Sequence, residues 1–210
     1  MKVLALIGPS GSGKDTLATY LSTLVPTVRL SFADYPKKLC SELLDLPLTS
    51  FYAKKNEVSK FKWKNLVYLE TSIPEKYEPD RYLLNREIIQ KWGQFFKKMN
   101  PDVWVDRVRR DLCSYFLTVD LAGNRIYRDW IFVITDCRFM DEKQMLDQFG
   151  CRYIELTRCP DPDADWRKHE SEQEWKQFGC DSLLFNCVWD LDNTQHILKN
   201  ILQDWGWIPR

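Results

Sequence analysis

The stretch MKVLALIGPSGSGKDTLATYL, residues 1–21, decides the fold. KVLALI at 2–7 is an almost continuous apolar run ended by Gly8, the pattern of a strand buried on both faces. Gly8, Gly13 and Lys14 keep the spacing G-x-x-x-x-G-K, and DTLATYLSTLV at 15–25 then places apolar residues at helical spacing. Glycines at 8, 11 and 13 let the backbone take positive φ and turn its N–H groups inward around a phosphate. The positive end of the following helix faces the same point, and Lys14 adds a mobile cation. A glycine-rich surface turn is the bland alternative. The buried strand before it and the amphipathic helix after it favour a nucleotide-binding loop.

One position departs from that pattern. After the lysine a Ser or Thr hydroxyl normally ligates Mg²⁺; here stands Asp15, with Thr16 next. A carboxylate can hold Mg²⁺ directly or through its waters. Asp15 also suits a helix N-terminus on charge alone. Both roles are open at this level.

Outward from the loop, strands and helices alternate. TVRLSF (27–32) reads as a strand and PKKLCSELLDL (36–46) as a helix, with Pro36 tolerated in its first turn. RYLLNREIIQKWGQFFKKM (81–99) and NPDVWVDRVRRDLCSYF (100–116) read as long helices. YRDWIFVITD (127–136) is the clearest strand after the first, DEKQMLDQFG (141–150) a helix closed by Gly150, and CRYIELTR (151–158) another strand. Strand-like LLFNCVWDL and a last helix, TQHILKNILQDW, complete the chain. The expectation is an α/β fold, a parallel sheet wound on both faces, with ligands beyond the carboxyl ends of its strands. It forms one domain: a core of about 1–46, 100–158 and 180–210, an excursion of about 47–99, and a lid of about 159–179. Residues 47–80 lose period and turn basic and aromatic, as an insertion with some helix of its own.

Bulk composition narrows the function. The 210 residues are 44% hydrophobic and 29% charged, ordinary for a globular protein. Lys plus Arg equals Asp plus Glu, 30 against 30, so no bulk positive field draws the chain to nucleic acid. Seven cysteines with no C-x-x-C suggest neither a disulfide framework nor a zinc site, and reduced thiols in a cytoplasmic setting fit them. The first apolar run is too short for a signal peptide, and none reaches membrane-spanning length.

An ordered series carries a family resemblance: GKDT (13–16), FADYPKK (32–38), REIIQKWG (86–93), PDVWV (101–105), ITDCRFMDE (134–142) and HESE (169–172). It resembles the phage-type deoxynucleoside monophosphate kinases, which are also similar to animal phosphomevalonate kinase. The resemblance implies a P-loop kinase with ATP and Mg²⁺ as cofactors and a nucleoside monophosphate as the second small-molecule substrate. It implies the host cytoplasm as the site of action if the gene is a phage's, and leaves a homodimer among the allowed assemblies. By this resemblance Gly8, Ser10, Gly11, Ser12, Gly13, Lys14, Asp15, Thr16 and Arg158 bind ATP. Lys37, Arg86, Gln90, Lys98 and Arg138 bind the acceptor, Arg167 and His169 belong to the lid, and Asp15 and Asp136 hold the metal. Lys14, Asp15 and Arg138 are the catalytic set. The chain departs from the family at Gly93–Gln94, where the family reads Gly-Thr, and at Lys97 and Lys98, where it tends to place an arginine.

The residues support the same chemistry independently. Phosphoryl transfer needs positioning and neutralisation of charge spread over the moving group. Cations follow each strand: Lys14, Lys37, Arg138 and Arg158, with Arg167 in the lid. A phosphate acceptor is already an anion, so His169 is read as ordering the lid rather than as a base. Arg107, Arg109 and Arg110 are expected on a solvated helix face. Trp92 and Trp104 are expected to pack, whereas Phe61 and Trp63 are the aromatics placed to touch a nucleoside. Two other functions remain: a kinase of a small phosphorylated metabolite, and a nucleotide-binding module without catalysis.

Overall fold

A computed structural model describes residues 1–66, 77–157, 174–185 and 191–210. Arg158, Arg167, His169 and most of the expected lid lie outside the described residues. The chain divides into two compact units, Met1–Phe32 with Arg107–Arg210, and Ala33–Asp106.

The first unit is a five-stranded parallel sheet. Strands β1 (Lys2–Ile7), β2 (Thr27–Leu30), β5 (Ile131–Ile134), β6 (Arg152–Thr157) and β7 (Ser182–Phe185) lie in the order β2-β5-β1-β6-β7. Apolar runs at β1 and β5 become its centre because a strand flanked on both sides and both faces meets no water. Ala5 of β1 is in register with Ile134 of β5, and Leu30 of β2 with the same Ile134, so β2 and β5 end together while β1 runs on to Ile7. Alternation splits the side chains between two layers. Leu4, Leu6, Ile131, Val133, Ile154 and Leu156 pack with Leu17 and Leu21 of α1 (Lys14–Leu24) and Leu198 and Leu202 of α7 (Leu191–Asp204). On the other face, Tyr115 of α5 (Val103–Leu117) meets the Phe132 ring at 5.3 Å. Tyr153 of β6 there donates its hydroxyl to Asp147 at 2.8 Å, at the end of α6 (Met140–Asp147). Helices therefore cover both faces, and the expected α/β fold with its parallel sheet is the observed one. Gly150, with φ +66°, ends the turn after α6 as its sequence position implied.

The second unit has its own core. Cys40 of α2 (Asp34–Leu43), Phe51 of α3 (Thr49–Tyr52), Leu83 of β4 (Tyr82–Leu84) and Ile88 of α4 (Asn85–Met99) are buried together with Leu66. Strand β3 (Val58–Lys62) pairs antiparallel with β4. The 81–99 segment is therefore not one helix: Tyr82–Leu84 is a strand, and the helix begins at Asn85. There the Glu87 carboxylate accepts the Leu84 amide at 2.7 Å and fixes the helix start. Trp92 stacks on Phe96 at 5.7 Å, and Trp104 donates to the Gly93 carbonyl at 3.2 Å, so both pack as expected. Among the described residues no helix is long and apolar enough to cross a membrane.

Candidate active site

The chain connection from β1 departs toward β2 and that from β6 toward β7, so the order reverses between these neighbouring strands, the place where open α/β sheets take their ligands. The glycine loop follows β1 at that point. Gly8 takes φ +132°, and a Cβ there would overlap the Leu156 carbonyl oxygen of β6, so only glycine permits this approach. Gly13 takes φ +96° and caps α1 without a side chain. Leu17 makes the first helical bond, to the Gly13 carbonyl at 3.0 Å, so the amides of the first turn point out of the helix toward the loop. Gly11, at φ +77°, has open space around it.

Lys14 is 8% exposed, an unusual place for an ammonium. Its Nζ donates to the carbonyls of Gly8 at 2.8 Å and Pro9 at 2.6 Å and to the Ser12 hydroxyl at 3.3 Å. Those three oxygens match the three donors of an ammonium and offset its desolvation. The cation is thus held inside the loop by neutral oxygens, which a phosphate can outbid with full negative charge. Ser12 is buried beside it, and Thr16 is exposed at the helix start.

Asp15 projects from the same turn and is 77% exposed. Its Oδ1 accepts from Arg29 of β2 at 2.5 Å and from the Thr135 hydroxyl at 2.8 Å. Asp136, next in the chain, accepts from the Ser31 hydroxyl at 2.6 Å and the Phe32 amide at 3.2 Å. The ends of β2 and β5 and the start of α1 therefore meet, with two carboxylates and the hydroxyls of Ser31 and Thr135 between them. Among the described residues no group of three or more His, Cys, Asp or Glu converges on one point, so these two hard-oxygen carboxylates would hold Mg²⁺ only with waters and phosphate oxygens completing its shell. Arg29 and Thr135 were not read from the sequence. Thr135 sits beside Asp136 at a strand end, which was the available signal; Arg29 had none.

Arg138 stands two residues beyond Asp136. Its amide and that of Phe139 both donate to Glu142, at 2.7 and 3.1 Å, and Glu142 is only 4% exposed. Between the two charged residues, Cys137 turns into the core, and burial pushes its thiol well above the ordinary range. A buried thiol held protonated in this way is a poor nucleophile.

The remaining expected residues belong to the second unit. Lys37 lies 3.4 Å from Asp34 and 4.1 Å above the Tyr52 ring, and Tyr52 donates to the same Asp34 carboxylate at 2.6 Å. Arg86 and Gln90 are one turn apart on α4, both half-buried, and Lys98 is exposed near its end. By helical spacing Lys97, not Lys98, shares their face. Phe61 and Trp63 differ from their expected role: both pack against the second unit's core. Arg81 and Lys91 sit over the Trp63 ring at 4.9 and 4.5 Å, and Tyr77 meets it edge-on at 5.5 Å. On α5, Arg107 and Arg110 are exposed as expected, whereas Arg109 is partly buried.

No family model matches the chain. No curated protein matches it either. Among solved structures the chain is similar to shikimate kinase from Bacteroides thetaiotaomicron, at 12% identity over 96% of this chain and 98% of that one, with a TM-score of 0.37.

Proposed function

We propose that the protein transfers the γ-phosphoryl group of ATP to the phosphate of a deoxynucleoside 5′-monophosphate, with Mg²⁺. One observation carries the reading: the Lys14 ammonium is held within a loop of three positive-φ glycines at the end of the central strand. A binding loop for something uncharged has no use for a buried cation whose bonds are exchangeable for phosphate oxygens. The first-turn amides of α1 and Lys14 bind the donor phosphates. Asp15 and Asp136 hold Mg²⁺, which when bound neutralises charge on the moving group. Arg138 supplies a planar guanidinium to that group, and Lys37, Arg86 and Gln90 hold the acceptor. The acceptor phosphate attacks as an anion, so no residue need remove a proton. A lid over about 159–179 closes on the phosphates and excludes water.

The covered Trp63 ring favours a second reading, in which the acceptor is a small phosphorylated metabolite without a base to stack. One experiment separates the readings: a coupled ADP-release assay over the deoxynucleoside monophosphates and phosphomevalonate, each with Mg²⁺-ATP. Stimulation by one or more deoxynucleotides supports the proposal. Stimulation by the metabolite alone transfers it to the second reading, and ATP binding without acceptor-stimulated turnover overturns both.

A further inference from the structure

A cleft of about 430 Å³ opens in the first unit at the edge of the sheet away from the glycine loop. Its walls are the last turn of α5 and the segment that leads into β5, so it lies before the amino ends of the strands, while the loop follows their carboxyl ends. That volume is in the range of small-molecule sites. Three aromatic rings line it. Tyr115 and Tyr127 meet edge to face at 4.9 Å, and both contact Phe132 of the sheet, at 5.3 and 6.3 Å, which holds them in place. Phe116, beside them, lies under the Arg125 guanidinium, 3.8 Å from its ring centroid.

Two cations, Arg125 and Arg128, face this aromatic wall, and neither has an acidic partner among the described residues. The nearby carboxylate of Asp120 is turned inward: it accepts the amides of Ala122 and Asn124 at 2.9 and 2.8 Å and the Asn124 side chain at 3.1 Å. Those bonds engage it within its own turn and hold its carboxyl below the usual range, as an ionised acceptor. The cleft therefore presents flat apolar rings, one guanidinium plane already parked on an aromatic face, and two guanidinium groups without an ion pair among the described residues.

We infer that this cleft binds a small anion carrying a flat aromatic or heteroaromatic ring, the chemistry of an aryl or nucleoside phosphate. The ring stacks against Tyr115, Tyr127 and the exposed plane of Arg125. The phosphate takes the paired donors of Arg128 and Arg125. The site is independent of the glycine loop and of the kinase reading.

Calorimetric titration of the full chain carrying Lys14→Ala with 1-naphthyl phosphate tests it with the loop removed as a competitor. The expected result is one binding event whose affinity falls about tenfold or more in Arg128→Ala and in Arg125→Gln, as loss of a charged hydrogen bond predicts. 1-Naphthol and inorganic phosphate, each bearing half of the recognised chemistry, should bind at least tenfold more weakly. Should a variant not fold, the unaltered chain makes the same test through its tyrosine ring resonances: those of Tyr115 and Tyr127 shift on titration, and less so at high salt. No binding with Lys14 replaced, affinity indifferent to both arginines, or unmoved tyrosine resonances overturns the inference. So does self-association that Arg125→Gln abolishes without any binding of the probe.

Discussion

Thr135 donates its hydroxyl to the Asp15 carboxylate at 2.8 Å, across 120 residues of sequence, and ties the end of β5 to the first turn of α1. Arg29 of β2 closes on the same oxygen at 2.5 Å. Asp15 therefore has a neutral partner that fixes its position and a cation that competes with any metal for its charge.

Those two partners should shift metal use in opposite directions. Thr135→Val removes an exposed neutral bond, so it should cost about 0.5–1.5 kcal/mol at most and raise the Mg²⁺ concentration for half-maximal turnover several-fold. Arg29→Ala removes the competing cation and should lower that concentration. Mg²⁺ titrations of ADP release in the two variants decide it. Shifts of the same sign, or none, separate Asp15 from the metal.

Gly8 and Gly11 both have positive φ, yet only at Gly8 does an added Cβ meet backbone, the Leu156 carbonyl of β6. Gly11→Ala meets only conformational strain, about 1–2 kcal/mol. Gly8→Ala adds a steric clash with a central strand and should cost roughly 2–4 kcal/mol. Chemical denaturation of the two variants gives the ordering, and equal losses contradict the close approach of loop and strand.

Glu87 ties the second unit together at the start of α4. Burial raises its carboxyl, but Arg81, through bonds of 3.1 and 2.8 Å, and the Leu84 amide outweigh that and hold it below the ordinary 4.5. A carboxyl depressed in the folded state adds stability above its unfolded value and loses it as pH falls through its folded value. Glu87→Gln should therefore cost about 1–2 kcal/mol at pH 7. The deficit should shrink as pH falls below 4.5. Urea unfolding followed by tryptophan fluorescence at both pH values measures it. A deficit that stays constant with pH contradicts the charged role.

The glycine loop was legible because its information is local: one run, one spacing and one helix face lie within the first 24 residues. The position of Asp136 just beyond β5 was legible for the same reason, as the polar end of a buried strand. Arg29 was not, since its meeting with Asp15 depends on β5 inserting between β1 and β2, and no local pattern states that order. TVRL marks Arg29 only as facing away from the core. The hairpin of β3 and β4 was missed because Tyr82–Leu84 continues the apolar spacing of α4, and its partner strand lies twenty residues back. Trp63 was misread because a basic, aromatic stretch looks the same whether its cations face a ligand or cover their own rings.

Arg138 gives the sharpest test of phosphoryl transfer. Its backbone is fixed by the buried Glu142 carboxylate, which accepts two successive amides, so the turn keeps that support when the side chain is changed. Arg138→Ala should leave a folded chain while lowering turnover by orders of magnitude, because a guanidinium on the moving group acts mainly in the transition state. Arg138→Lys keeps the charge but loses the planar fork, and should recover only part of the rate. Glu142→Gln makes the converse change. It weakens the support while leaving the arginine, and should lower both stability and turnover. Circular dichroism melts and ADP-release rates on the three variants separate the roles, and an Arg138→Ala chain with unchanged turnover takes this residue out of the reaction.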